Sequence, residues 1–270
     1  MPLFHLSVIA LVQGFTEFLP ISSSGHLVLV PVFTNWPDQG QTMDVAAHVG
    51  TLFAVMAYLY KDVWTMVVSL GLLLKGRTSP GLRLIGFVIL GTLPVIAVGY
   101  AMNIYFPDGI RGIEVIGWTT LGYGIVLWIA DTIGLTVRRI DHLKSSDVVI
   151  IGLAQCLALV PGTSRSGICM TAGRLLGMER AESARFSMLL SMPAILGAGI
   201  LKGWDVYKAG ELTLSSDLVV VAGLSFLAAL VVIILLMSWL RRANFTPFVI
   251  YRIILGAGLL ALAYGVGGYF

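Results

Sequence analysis

Charge is scarce in this chain. Only 11% of its residues are Asp, Glu, Lys or Arg, where a soluble globular domain carries about 25%, and that shortage excludes an ordinary water-soluble domain. Cysteine is nearly absent too. Cys156 and Cys169 are the two present; they form no metal-binding spacing and no disulfide framework and read as small core residues. Polar–apolar alternation is lacking as well, which argues against a membrane β-barrel. The N-terminal apolar stretch has no basic region before it and no small-residue cleavage site after it, so it is expected to belong to the fold and not to a signal peptide.

What the chain has is long uncharged runs. Leu84–Pro107 is 24 residues without a charge, and Leu218–Leu240 is 23; about 20 apolar residues cross a bilayer as a helix. Shorter runs at Val45–Tyr60, Val115–Ala130, Phe186–Leu201 and Ile253–Phe270 complete six expected spans. In lipid the backbone must satisfy its own hydrogen bonds, so the spans are helical. Val63–Leu74 is too short to cross easily and is expected to be a helix at the interface. Eleven of the 17 basic residues fall in four groups, at Lys75/Arg77/Arg83, Arg138/Arg139/Lys144, Arg174/Arg180/Arg185 and Arg241/Arg242. The connections Asn35–Asp44, Phe106–Glu114 and Lys202–Asp217 are poor in basic residues. The positive-inside rule puts the four groups in the cytoplasm.

Two stretches resemble each other. IALVQGFTEFLPISSSG from Ile9 and IGLAQCLALVPGTSRSG from Ile151 align without a gap at an offset of 142, with six identities in 17 positions. These are Ile9/Ile151, Leu11/Leu153, Gln13/Gln155, Ser22/Ser164, Ser24/Ser166 and Gly25/Gly167. Each copy is an apolar half-segment, a proline-containing Ser/Gly turn and a second apolar stretch. Three expected spans follow each copy, so the second would enter the membrane in the opposite sense. The expected fold is therefore all-α: a polytopic membrane protein with six spans plus two re-entrant broken-helix hairpins in an inverted-topology repeat. It is a single membrane domain, 1–270, with halves of about 1–140 and 141–270. Irregular backbone at that depth must be buried or line a wet cavity, so the two turns should meet inside the bundle.

The turns carry the polar residues. Gln13, Glu17, Ser22, Ser23, Ser24, Gly25 and His26 come from the first, and Thr163, Ser164, Arg165, Ser166 and Gly167 from the second. An ionisable group in a membrane helix costs about 2.5–3.5 kcal/mol on insertion scales, so Glu17, His26 and Arg165 point to function. The alternative is a purely structural Glu17–Arg165 ion pair, and buried pairs stabilise weakly. Ser/Gly turns that open helices suit phosphate. Arg165 can grip it with two parallel hydrogen bonds, and Glu17 can hold a divalent cation that bridges diphosphate oxygens. A hydroxyl or an imidazole can attack phosphorus or activate water. Phosphoryl transfer on a lipid-embedded substrate fits these ingredients.

QGFTEFLPISSSGHL together with PGTSRSG resembles the undecaprenyl-diphosphate phosphatase family associated with bacitracin resistance. That family carries E/Q-x-x-x-E, PxSSxGH and PGxSRSG motifs. AAHVGTLFAV, ARFSMLLSMPAILGAG and FTPFVIYRIILG resemble it too, so the likeness covers nearly the whole chain. It implies removal of the terminal phosphate of a C55 polyprenyl diphosphate. It also implies a divalent cation (Mg²⁺, with Ca²⁺ as the alternative), a place in the bacterial inner membrane and a site facing the periplasm. On the motif positions it makes Glu17 the metal ligand, with Glu17, Ser23, His26 and Arg165 as catalytic residues. Gln13, Ser22, Ser24, Gly25, Thr163, Ser164, Ser166 and Gly167 would contact substrate. Gln13 stands where many members have an acid, leaving one carboxylate. The resemblance leaves open whether Ser23 or His26 is the nucleophile.

Another lipid phosphatase class pairs SGH with SRxxxxxH, but Thr171 stands where that histidine would be. The rival function is a transporter or flippase of an anionic polyprenyl lipid, since inverted repeats and broken helices are transporter architecture. The expected partners are the lipid substrate and the bilayer. Nucleic acid is not expected, and the oligomeric state is left open. His5 and His142 read as surface groups. Asp131 reads as interfacial, and His48 as a span residue with a place on the cavity as the alternative.

Overall fold

The structure, a computed structural model, describes residues 2–34, 36, 40–105, 112–208 and 216–265. Among them the chain is helical throughout, with one isolated β-bridge between Arg138 and Met178. The first hairpin is α1 (Leu3–Thr16) and α2 (Ser23–Thr34). Next come α3 (Gly40–Tyr58), α4 (Tyr60–Leu73), α5 (Pro80–Tyr105) and α6 (Ile113–Ile133). A second hairpin follows, α7 (Ser145–Cys156) and α8 (Arg165–Leu175), and then α9 (Arg180–Lys208), α10 (Ser216–Leu240) and α11 (Thr246–Ala263).

Five helices, α5, α6, α9, α10 and α11, are long and apolar enough to cross a membrane. α3 and α4 pass the same test only together and meet at an 84° bend, so the described residues hold five spans, or six where the bent pair counts as one. The protein is thus an all-α, multi-pass membrane protein. The helix expected over Val63–Leu74 is present as α4, which turns away from α3 at this elbow. Arg185 on α9 holds α4 there through a two-pronged bond to Asp62, with Nη2 2.5 Å from Oδ1 and Nε 3.1 Å from Oδ2. The base-poor connections expected at Asn35–Asp44, Phe106–Glu114 and Lys202–Asp217 fall partly outside the described residues, as does the end of the expected last span beyond residue 265.

α1 and α2 have 14 and 12 residues. At 1.5 Å per residue neither exceeds about 21 Å, short of a hydrocarbon core of about 30 Å, so they are half-helices. α7 and α8, with 12 and 11 residues, are half-helices as well. Each hairpin leans on a long span, α1 on α10 and α7 on α5, while α3 packs on α9 and α10, and α6 on α11. Lipid supplies little hydrophobic drive between helices, so close backbone approach matters. A Cβ on Gly50 of α3 would lie 2.1 Å from the Ala222 carbonyl oxygen of α10, and one on Gly152 of α7 would lie 2.7 Å from the Gly91 carbonyl oxygen of α5.

Two sequence expectations change. The last span begins at Thr246, seven residues before the expected Ile253, because the helix accommodates Arg252 instead of starting after it. Arg174 is not a loop cation: it is wholly buried, with Nε 2.9 Å from Asp131 Oδ1 and Nη groups on the carbonyls of Gly134, Leu135 and Met178. Asp131, which the sequence leaves without a partner, is buried within the protein. Its Oδ1 also meets Arg180 Nε at 2.7 Å, and its Oδ2 accepts the Phe245 N–H. A carboxylate removed from water needs such partners, and here they lock the ends of α6, α8, α9 and α11 together.

Candidate active site

Both turns are built on one device. Ser22 and Ser164 are the two non-glycine residues with positive φ among the described residues, at +76° and +72°. This left-handed backbone costs about 1–3 kcal/mol unless its surroundings hold it. Both serines cap the helix they open: the Ser22 hydroxyl accepts the Gly25 N–H at 3.3 Å, and the Ser164 hydroxyl accepts the Gly167 N–H at 3.1 Å. Each hydroxyl also touches that of the serine two residues on, Ser24 at 3.4 Å and Ser166 at 3.1 Å. The first N–H groups of α2 and α8 are then left for whatever sits before them.

The turns meet. Ser166 Oγ donates across to the Leu19 carbonyl oxygen at 2.7 Å. Arg252, wholly buried on α11, directs its donors to five backbone carbonyls. Nε reaches Thr120 O (3.0 Å), Nη1 reaches Pro20 O and Thr163 O (3.0 Å each), and Nη2 reaches Thr119 O (3.2 Å) and Gly162 O (3.1 Å). One guanidinium thereby holds both turns against α6. Arg252 does not stand out in the sequence, because it lies in a run that reads as the edge of a span. An arginine inside an apolar run is the available signal.

Glu17 is the hub. Its Oε1 accepts from Arg165 Nη2 at 3.1 Å; its Oε2 accepts from Ser23 Oγ at 2.6 Å and Gln13 Nε2 at 3.0 Å. His48 Nε2 lies 3.9 Å from the same Oε2. Arg165 also donates from Nη1 to the Ser187 carbonyl oxygen at 3.1 Å. The residues expected from each turn are therefore joined through one carboxylate. Thr163 and Gln13 are fully buried, yet Thr163 Oγ1 and Gln13 Oε1 have no partner among the described residues.

His26 stands apart from this hub, on the first turn of α2. Its Nδ1 lies 2.6 Å from the Ser22 carbonyl oxygen, which can only accept, so Nδ1 carries the proton. Nε2 is then the lone pair, and the Tyr251 hydroxyl donates to it at 2.6 Å, the two rings lying nearly parallel at 11°. Tyr251 is the second residue that does not stand out in the sequence; an exposed tyrosine in a membrane helix reads as an interfacial anchor. Ser23 lies three residues before His26, hence on the same face of the helix.

Among the described residues no three of His, Cys, Asp and Glu converge as a ready metal cage. The donors that are present fit a hard divalent cation all the same. Glu17 offers a carboxylate and Gln13 a buried, unpartnered amide oxygen, and such ions commonly take one or two protein carboxylates with the rest from phosphate and water.

These features define a polytopic membrane protein whose charged site is built from two turns between half-helices. The chain belongs to the family described as bacitracin resistance protein BacA, which matches residues 6–258. It is 50% identical over 271 residues to undecaprenyl-diphosphatase 1 of Rhodospirillum rubrum, covering 98% of this chain and 96% of that one. It is 46% identical over 266 residues to the undecaprenyl-diphosphatase of Ruegeria pomeroyi and 47% identical over 266 residues to that of a Jannaschia species, covering 98% of this chain and 100% of each relative.

Proposed function

We propose that this protein is a metal-dependent phosphatase of the bacterial inner membrane. It hydrolyses undecaprenyl diphosphate to undecaprenyl phosphate and inorganic phosphate, returning the carrier to cell-wall synthesis from a site open to the periplasm. The observation that carries the reading is the chain Ser23–Glu17–Arg165, which joins a hydroxyl, a carboxylate and a guanidinium from two turns through contacts of 2.6 and 3.1 Å. The names of the relatives support the substrate. The inverted repeat is part of the proposal. It draws support from the similar positive φ at Ser22 and Ser164 and from the like packing of α1 on α10 and α7 on α5.

In this mechanism Arg165 and the free N–H groups at the starts of α2 and α8 hold the terminal phosphate. Ser23 Oγ, turning from Glu17 as the Tyr251 hydroxyl gives way at His26 Nε2, attacks its phosphorus and passes its proton to Nε2, while the bond from phosphorus to the bridging oxygen breaks and undecaprenyl phosphate leaves, taking that proton. A water then attacks the phosphoserine and gives a proton to His26. The phosphorus–Oγ bond breaks, Ser23 recovers the proton and phosphate departs. Glu17 and Gln13 would hold the divalent cation, which neutralises charge on the diphosphate oxygens. Ser22, Ser164 and Ser166 serve in this reading mainly by holding the turns.

The test is phosphate release from a long-chain prenyl diphosphate by purified protein in detergent, with Mg²⁺ or with chelator, beside Glu17→Gln. Release that needs metal and collapses in the variant is expected. No release from folded protein would favour the flippase reading, for which lipid flipping in liposomes is the next assay.

A further inference from the structure

We infer that His48 is a direct ligand of the divalent cation, so that the ion lies between Glu17 and His48 and takes a nitrogen donor as well as oxygens. This deepens the metal-dependent phosphatase reading and rests on it.

His48 lies on α3, outside both turns. Its Nδ1 is 2.7 Å from the Asp44 carbonyl oxygen. A carbonyl only accepts, so Nδ1 carries the proton and Nε2 of the neutral ring presents a lone pair. That lone pair faces Glu17 Oε2 at 3.9 Å. The gap is too long for a hydrogen bond, and two acceptors facing each other have no proton to share. Two metal–ligand bonds of about 2.0–2.2 Å meeting at a tetrahedral angle put their donors roughly 3.3–3.6 Å apart, so a closure of a few tenths of an ångström would seat an ion on both. A ring N–H anchored on a backbone carbonyl is also how proteins orient a metal-binding imidazole.

The surroundings ask for another donor. Gln13 turns its NH₂ to Glu17 Oε2 and leaves its own Oε1 buried and unpartnered, and Glu17 is the carboxylate on which the hub's hydrogen bonds converge. The His48 side chain is one-third exposed, at 33%, which leaves room for water or phosphate to complete the coordination. An imidazole nitrogen shifts preference away from Mg²⁺ and Ca²⁺ toward later first-row ions such as Zn²⁺.

The experiment uses Mn²⁺ as the probe on the purified full chain in detergent. Binding is read by electron paramagnetic resonance, and the ligand by the imidazole ¹⁴N modulation of the electron spin echo. The wild type should show that modulation. His48→Gln should lose it and bind Mn²⁺ about tenfold more weakly or worse. Mn²⁺ bound without imidazole modulation in the wild type overturns the His48 assignment while leaving a metal-dependent phosphatase. So does modulation that persists in His48→Gln. No Mn²⁺ bound by folded, active protein overturns the metal site itself. Should His48→Gln not fold, wild type grown with ¹⁵N-histidine supplies the imidazole signature directly. Glu17→Gln must then lower Mn²⁺ affinity.

Discussion

At residue 22 the chain takes a φ of +76°, and at residue 164 it takes +72°. Each of these serines caps the helix that follows through the glycine three residues on. Past that shared backbone the two turns part. The first carries Glu17 before the turn and Ser23 and His26 after it, where a proton can be taken and given. The second carries Arg165, which can do neither at ordinary pH, and its neighbouring Ser166 is committed to the Leu19 carbonyl. One turn is equipped to react and the other to hold. Under the proposed mechanism, one backbone device used twice, a serine-capped helix start, leaves side chains free to divide the labour.

The comparison breaks most completely at Arg252, the guanidinium that holds the backbone of both turns. Arg252→Met leaves five buried carbonyls without their donor, and an unpaired buried polar group costs about 1–3 kcal/mol. We expect the variant to lose most of its thermal stability and nearly all turnover, read by unfolding in detergent beside phosphate release. Next in size is the division of labour itself. Ser23→Ala in the first turn and Ser166→Ala in the second should differ sharply. The first removes the proposed nucleophile and should lower turnover by about 10³-fold or more; the second removes chiefly one neutral hydrogen bond of about 1 kcal/mol. Equal losses would end the assignment of chemistry to the first turn.

Arg165→Lys sharpens the holding role. A point charge cannot reproduce a planar two-pronged grip, and a hydrogen bond to a charged group is worth about 1.5–3 kcal/mol. Catalytic efficiency should therefore fall about ten- to a hundredfold with the fold intact; near-normal efficiency would make Arg165 a structural partner of Glu17. The smallest effect concerns how the hairpins start. α7 opens on Asp147, which accepts the Lys144 N–H at 2.8 Å and pairs with Arg138, whereas α1 opens with no side-chain cap. Burial works against the Asp147 carboxylate, but the Lys144 N–H and Arg138 outweigh it and its pKa lies below the ordinary value. A depressed pKa contributes stability above the unfolded value of about 3.9, and that contribution is lost as pH falls through the folded value. Thermal unfolding of the wild type should weaken over that acidic range, and Asp147→Asn should flatten the response.

Much of this is legible from residues alone. Long uncharged runs announce spans because lipid offers no partner for a polar group. Glu17, His26 and Arg165 stand out because charge inside such runs is costly, and the offset of 142 between the Ser/Gly stretches is visible by eye. The burial and mutual pairing of Arg174 and Asp131 are not legible from sequence for a physical reason: their partners lie on other helices.

Local composition and period are enough to set the solvent, the helices and the residue types that can meet a phosphate. Which of those residues share a site is a matter of tertiary packing. Glu17 meets Arg165, His48 faces Glu17, Tyr251 covers His26 Nε2, and Arg252 draws both turns onto α6. Each of those contacts joins segments far apart along the chain, and helix packing, which local sequence does not encode, sets the distances between them.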